Sequence, residues 1–167
     1  AIRSLAVADS SQGEGLLPML VTHLYKKLKS EGLDNVFVVT KPAYAPLFAS
    51  LCFYERVKTD DAALLESRRD GLKRFLAELP KADGAIVMNA DPFTNGHRYL
   101  VETAAASCRH LLVLVLSKDS AHVPAEARLM LVRQGCADLP NVSVCPGGAY
   151  VISSATFPDY FFKNKTD

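Results

Sequence analysis

The feature that most restricts this fold is a short apolar run, Gly84-Ala85-Ile86-Val87-Met88-Asn89, that passes directly into Asp91-Pro92-Phe93-Thr94-Asn95-Gly96-His97. The segment that follows, Arg98 to Cys108, carries Leu100, Val101, Ala104 and Cys108 at helical spacing. The order is therefore buried strand, tight loop, helix. A Pro and a Gly punctuate the loop, and Thr94 and His97 fall where a helix begins. The first backbone N–H groups of a helix have no partners within it, so a phosphate is readily received there. Ligands of open α/β sheets bind at the carboxyl ends of the strands, which is where this loop lies.

A second apolar run, Leu111 to Leu116, has the near-continuous hydrophobicity of a parallel strand covered on both faces. Ser117-Lys118-Asp119 then lies at its carboxyl end, on the same edge as Thr94 and His97. Pro124 to Gly135 reads as the next helix and Val142 to Cys145 as a third short strand. Strands alternating with helices imply right-handed crossovers and a Rossmann-like parallel sheet.

The half of the chain before this unit reads as α/β too. Leu5 to Ala8 is a strand, Asp9 to Gly15 a loop, and Leu16, Leu20, His23, Leu24 and Leu28 one helical face that stops at Gly32. A loop with Gly13 and Gly15 lets amides approach a pyrophosphate closely, though the same pattern also serves packing. Asn35 to Thr40 is a buried strand, and Tyr44 to Leu51 a short helix after Pro42. From Thr59 to Leu79 the apolar stripe Leu65, Leu72, Phe75, Leu76 and Leu79 predicts an amphipathic connecting helix, its basic residues a solvated face.

Composition narrows the function. At 167 residues and 49% hydrophobic the chain can bury a sizeable core. A net charge of +1, with no basic tail, argues against a nucleic-acid partner. No stretch approaches the roughly 18 apolar residues of a membrane span. Cys52, Cys108, Cys136 and Cys145 form no C-x-x-C pair, so buried thiols in a reducing cytoplasm are expected, without a protein-held metal centre.

Thr94-x-Gly96-His97 resembles the T/H-x-G-H signature of the adenylyl- and cytidylyltransferase superfamily. The loop looks like that of pantetheine-phosphate adenylyltransferase. The longer resemblance is to the citrate lyase ligase family, which joins a GNAT-like acyltransferase domain to a nucleotidyltransferase domain. It is carried by Arg3 to Gly15, Thr40-Lys41-Pro42 through Phe53, Gly84 through Glu102, Pro124 to Arg128, and Tyr150-Val151-Ile152-Ser153 through Pro158. Asp91 stands where the family often has Asn, and Ser10 where a coenzyme A loop wants Gln or Arg. The expected organisation is a partial GNAT-like domain over 1–58, a connecting helix and linker over 59–82, and the first part of a nucleotidyltransferase domain over 83–167. Both domains are expected to be incomplete.

The resemblance implies an acid–thiol ligase acting through an acyl adenylate. Acetate attacks the α-phosphorus of ATP, and the acetyl group passes to the thiol prosthetic group of the citrate lyase acyl carrier protein, with magnesium on the phosphates. It implies that Thr94 and His97 are catalytic, and that Asn89, Gly96, Lys118 and Arg128 join them in binding ATP. Lys118 is equally an exposed loop lysine, and Arg128 an outer-phosphate ligand or a surface contact. The late I-S-x-S-x-x-R loop of the superfamily has no counterpart, since Ile152-Ser153-Ser154 lacks the Arg. The chain is therefore expected to hold part of an ATP site and to be inactive alone. A pantetheine-phosphate adenylyltransferase-like activity and a non-catalytic nucleotide- or coenzyme-A-binding module are the alternatives.

Overall fold

A computed structural model of the chain describes residues 2, 5–117 and 122–152, which divide into two compact units at Gly71/Leu72. The fold is α/β, as the sequence predicts.

In the first unit, helix α1 (Leu16–Ser30) begins after Gly15, whose left-handed φ of 74° only glycine adopts freely. It ends in a Schellman turn: Gly32 has φ +80°, its N–H donates to the Lys29 carbonyl, and the Leu33 N–H donates to that of Leu28. Lys27 and Lys29 in the last turn complement the negative helix terminus. The core-facing stripe is buried Val21 with half-buried Leu17, Leu24 and Leu28, so the helix is turned from the predicted face, and Leu20 and His23 are exposed. Both stripes are apolar in sequence; packing against the sheet selects one.

That sheet is antiparallel, with β1 (Phe37–Thr40) and β2 (Tyr54–Lys58) flanking β3 (Ala63–Glu66). Helix α2 (Ala45–Ala49) supplies Ala45 and Phe48 to the same core. Two expectations are corrected here. Leu5 to Ala8 forms no ladder; among the described residues the pairing at this end is one bridge, Ile2 to Val38. The helix predicted over 59–79 is confined to α3 (Gly71–Glu78), because Ala63–Glu66 is the central strand of the sheet. Leu65 is fully buried there, and Glu66 is held by Arg56 Nε at 2.6 Å and Asn35 Nδ2 at 2.7 Å. Burial of a carboxylate is tolerable only with such partners.

In the second unit, β4 (Gly84–Met88), β5 (Leu111–Val115) and β6 (Val142–Pro146) form a parallel sheet in that order. Helices α4 (Asn95–Ala105) and α5 (Ala125–Gly135) connect them. Val101, Ala105, Val132 and Cys136 pack from the helices onto Met88, Leu111, Val113 and Val115. Each fully buried Val or Leu contributes on the order of 2 kcal/mol. The register aligns Met88, Val115 and Pro146, so the three strands end level and their loops open on one edge. Asp83 holds the opposite end, accepting from the amides of Arg109 and His110 at 3.3 and 2.8 Å. The His110 amide, with the Arg109 side chain, lowers its carboxyl pKa to about 2.

Cys52 tests the backbone geometry, since it occupies the left-handed region at φ 63° without being glycine or asparagine. Cys52→Gly is expected to stabilise the first unit by about 1 kcal/mol, read as a higher urea midpoint with unchanged slope.

Candidate functional site

The motif loop leaves β4 through Asn89 and Ala90, the latter fully buried in a left-handed turn at φ 52°, and passes a cis Asp91–Pro92 bond. Thr94 is the N-cap of α4, and His97, the third helical residue, reaches back to it. The Thr94 backbone N–H donates to His97 Nδ1 at 3.2 Å, and the Thr94 hydroxyl lies 2.8 Å from the same nitrogen. This is a capping box with histidine in the place usual for Glu or Gln.

A chemical consequence follows. A backbone amide can only donate, so Nδ1 accepts and the neutral ring carries its proton on Nε2. The Nε2–H has no partner among the described residues and is free to donate to a ligand oxygen. The ring is also held from behind, stacked on Phe93 with centroids 5.9 Å apart and planes inclined by 27°. Phe93 rests on Gly135, where a Cβ would overlap the ring. Beside His97, the N–H groups of Asn95 and Gly96 have no carbonyl four residues back within the helix. A Cβ built on Gly96 would meet only Thr94 Oγ1, at 3.7 Å, so internal packing does not demand glycine there.

Arg98 anchors this helix start. Its guanidinium donates in parallel to both oxygens of Asp138 at 2.6 and 2.7 Å, to Glu102 at 2.8 Å and to the Gly135 carbonyl. Paired oxygens of this kind fix direction as well as distance. Asp138 and Glu102 raise the guanidinium pKa further above its ordinary value.

The structure brings two pairs of the predicted residues together: Thr94 with His97, and Asn89 with Arg128. Arg128 is fully buried at the foot of α5. Its Nη1 donates to the carbonyl and Oδ1 of Asn89, both at 2.7 Å, and its Nε to the Val123 carbonyl at 2.9 Å. Gly96 lies in the first turn of α4. Lys118 lies outside the described residues, as does Ser153 onward. A cleft of about 540 Å3 opens at the ends of β5 and β6, lined by Leu116, Ser117, Pro124, Glu126, Leu129 and Pro146. Thr94 and His97 stand outside its lining, one strand away. Sequence reasoning assigned no role to Asp91, Phe93 or Arg98; the Asp-Pro dipeptide was a visible signal for the first.

A capped helix start on the carboxyl edge of a parallel sheet is the arrangement of an α/β unit of the nucleotidyltransferase type. Comparison with known proteins makes this specific. Residues 83–167 match the family described as citrate lyase ligase C-terminal domain, and the chain belongs to the citrate lyase ligase family. It is 40% identical over 172 residues to the [citrate [pro-3S]-lyase] ligase of Escherichia coli K12, covering 99% of this chain and 49% of that protein. The ligase of Klebsiella pneumoniae is 39% identical over 171 residues, covering 98% and 50%. A phosphopantetheine adenylyltransferase of Nocardioides sp. is 47% identical over 57 residues, 32% of this chain and 35% of that protein. The chain spans about half the length of the ligases it matches.

The Phe93 platform is open to direct test. Gly135→Ala is expected to displace the ring and cost about 1 to 3 kcal/mol, seen as a lower denaturant midpoint.

Proposed function

We propose that the protein to which this chain belongs is an ATP-dependent ligase that adenylates acetate and then acetylates the thiol prosthetic group of the citrate lyase acyl carrier protein. Family membership supports the ligase class, and the observation that carries the chemistry is the His97 ring, oriented by Thr94 with its Nε2–H free.

In the first step a carboxylate oxygen of acetate attacks the α-phosphorus. The bond from that phosphorus to the bridging oxygen breaks, and pyrophosphate leaves with the electron pair. Negative charge is redistributed over the α-phosphate oxygens and the leaving group, and donors already in place stabilise it without reorganising. His97 Nε2–H and the Asn95 and Gly96 amides are such donors. A carboxylate nucleophile carries no proton at neutral pH, so no general base is required. In the second step the carrier thiolate attacks the acetyl carbonyl and AMP departs. Thr94 acts through its cap, holding the tautomer of His97. We place Asn89 and Arg128 behind this edge as its support, and Lys118 as a phosphate ligand.

Magnesium carried on the phosphates supplies charge neutralisation when bound. Such an ion keeps most of its ligands from phosphate and water. Its requirement for protein ligands is correspondingly small, and no cluster of three or more His, Cys, Asp or Glu suited to a metal occurs among the described residues.

We place the protein in the cytoplasm. All four cysteines are unpaired, and no helix among the described residues is long and apolar enough to cross a membrane. A GNAT-like first part and a nucleotidyltransferase part over 83–167 are retained as part of the same proposal, with the end of the first part moved from 58 to Gly71 because β3 completes its sheet.

Local similarity to a phosphopantetheine adenylyltransferase favours one other reading, adenylyl transfer to a phosphate acceptor. Acetate-dependent ATP–pyrophosphate exchange by the complete gene product separates the two. Exchange that requires acetate supports the ligase, and exchange that requires a pantetheine phosphate overturns it. His97→Ala is expected to lower the exchange rate by at least a hundredfold with the fold retained. Unchanged acetylation of the carrier thiol in that variant would remove His97 from the reaction, and no acetylation by the natural protein would leave a non-catalytic module.

Gly96→Ala separates ligand from fold. It is expected to leave the melting temperature equal or slightly higher, since alanine favours the helix by up to about 1 kcal/mol. ATP affinity is expected to fall at least tenfold by titration calorimetry, because the new methyl group occupies the phosphate approach.

A further inference from the structure

Two aspartates bracket β4, and they use the same device at opposite ends. Asp83 accepts from two consecutive amides, Arg109 and His110, just before β5. Asp91 accepts from another consecutive pair just before α5: Oδ2 from the His122 N–H at 2.9 Å and Oδ1 from the Val123 N–H at 2.8 Å. A carboxylate suits this task because both oxygens accept. An asparagine would turn an NH2 donor towards one of the two amides.

At the Asp91 end the device is doubled. Val123 is gripped on both sides of its residue, its N–H by Asp91 and its carbonyl by Arg128 Nε. Arg128 returns to the same loop through the carbonyl and Oδ1 of Asn89. Between Asn89 and Asp91, the buried left-handed Ala90 turns the backbone. The side chain of Asp91 is itself only 11% exposed. The hydrogen bonds from His122 and Val123 hold its carboxyl below the usual range, so it is ionised at neutral pH.

We propose that Asp91 is a positioning residue for the nucleotide site: with Arg128 it latches the start of α5 to the motif loop, fixing α4's first turn relative to the cleft beside α5. Pro124 and Glu126, which line that cleft, follow directly on the latched residues. Asp91 also immediately precedes Pro92 to His97 in the chain. The consequence for ATP rests on the function proposed above, whereas the latch itself does not. Asp83 performs the same mechanical task away from the ligand edge and serves as the matched control.

The test uses the complete gene product with three substitutions, reading amide exchange by NMR and ATP binding by calorimetry. Asp91→Ala is expected to speed exchange of the His122 and Val123 amides at least tenfold and to weaken ATP binding about tenfold. Asp91→Asn, which keeps one acceptor and the same shape, falls between it and the natural protein, and carries both readouts should the alanine variant not fold. Asp83→Asn lowers the melting temperature and leaves ATP affinity unchanged. Unaltered exchange at His122 and Val123 in Asp91→Ala overturns the proposal, as does an equal loss of ATP affinity in Asp83→Asn. A natural protein that binds no ATP, with exchange responding as expected, overturns the nucleotide reading and leaves the latch standing.

Discussion

Strand β5 is paired along both edges, to β4 and to β6, and all five of its residues are buried. With no water to satisfy its backbone groups, they must be met by the neighbouring strands. That requirement fixes the level at which all three strands stop. The motif loop, the start of α5 and the turn after β6 consequently share one edge. The turn after β6 is fastened there by its amides, with the Gly147 N–H donating to the Val115 carbonyl and the Gly148 N–H to the side-chain Oγ of Ser117. The side-chain chemistry of the site is thus downstream of a backbone constraint, since the helix starts cannot shift without pulling a buried strand.

On that edge the hydrogen bonds fall into two kinds. Those of Arg98, Arg128 and Asp91 close on protein groups and hold segments in place. Among the described residues those of His97 close on one side alone: Nδ1 is satisfied by Thr94, and Nε2 is left with a proton to give. A backbone amide thereby selects the tautomer of a side chain, a selection that does not depend on any other titrating group. The arrangement gives the site a donor of defined polarity before a ligand arrives.

The second unit was largely legible in the sequence because its signals are local. Leu111 to Val115 is long and apolar enough to admit only a buried strand, and Thr94-x-Gly96-His97 marks a helix start within four residues. The first unit was less so. Tyr54–Lys58 and Ala63–Glu66 are strands of five and four residues, and a charged end such as Glu66 has meaning only through Arg56 and Asn35, far off in sequence. Leu64-Leu65 followed by Leu72 and Phe75 imitates a helical stripe; the two-residue Asp60-Asp61 turn that folds β2 onto β3 was the overlooked cue. Within the site, Thr94 and His97 were visible by motif. Arg128 was visible as a residue, but its burial depends on Asn89 and Val123, which no spacing rule brings together.

Gly96 carries information of a different order. A glycine inside a first turn weakens the helix, and here no atom among the described residues would object to a methyl group. Read with the proposed chemistry, the open surface at this exposed glycine is room for a phosphate. On the proposed function, part of the recognition is written in what the sequence leaves out, an absent side chain marking where the phosphate would lie.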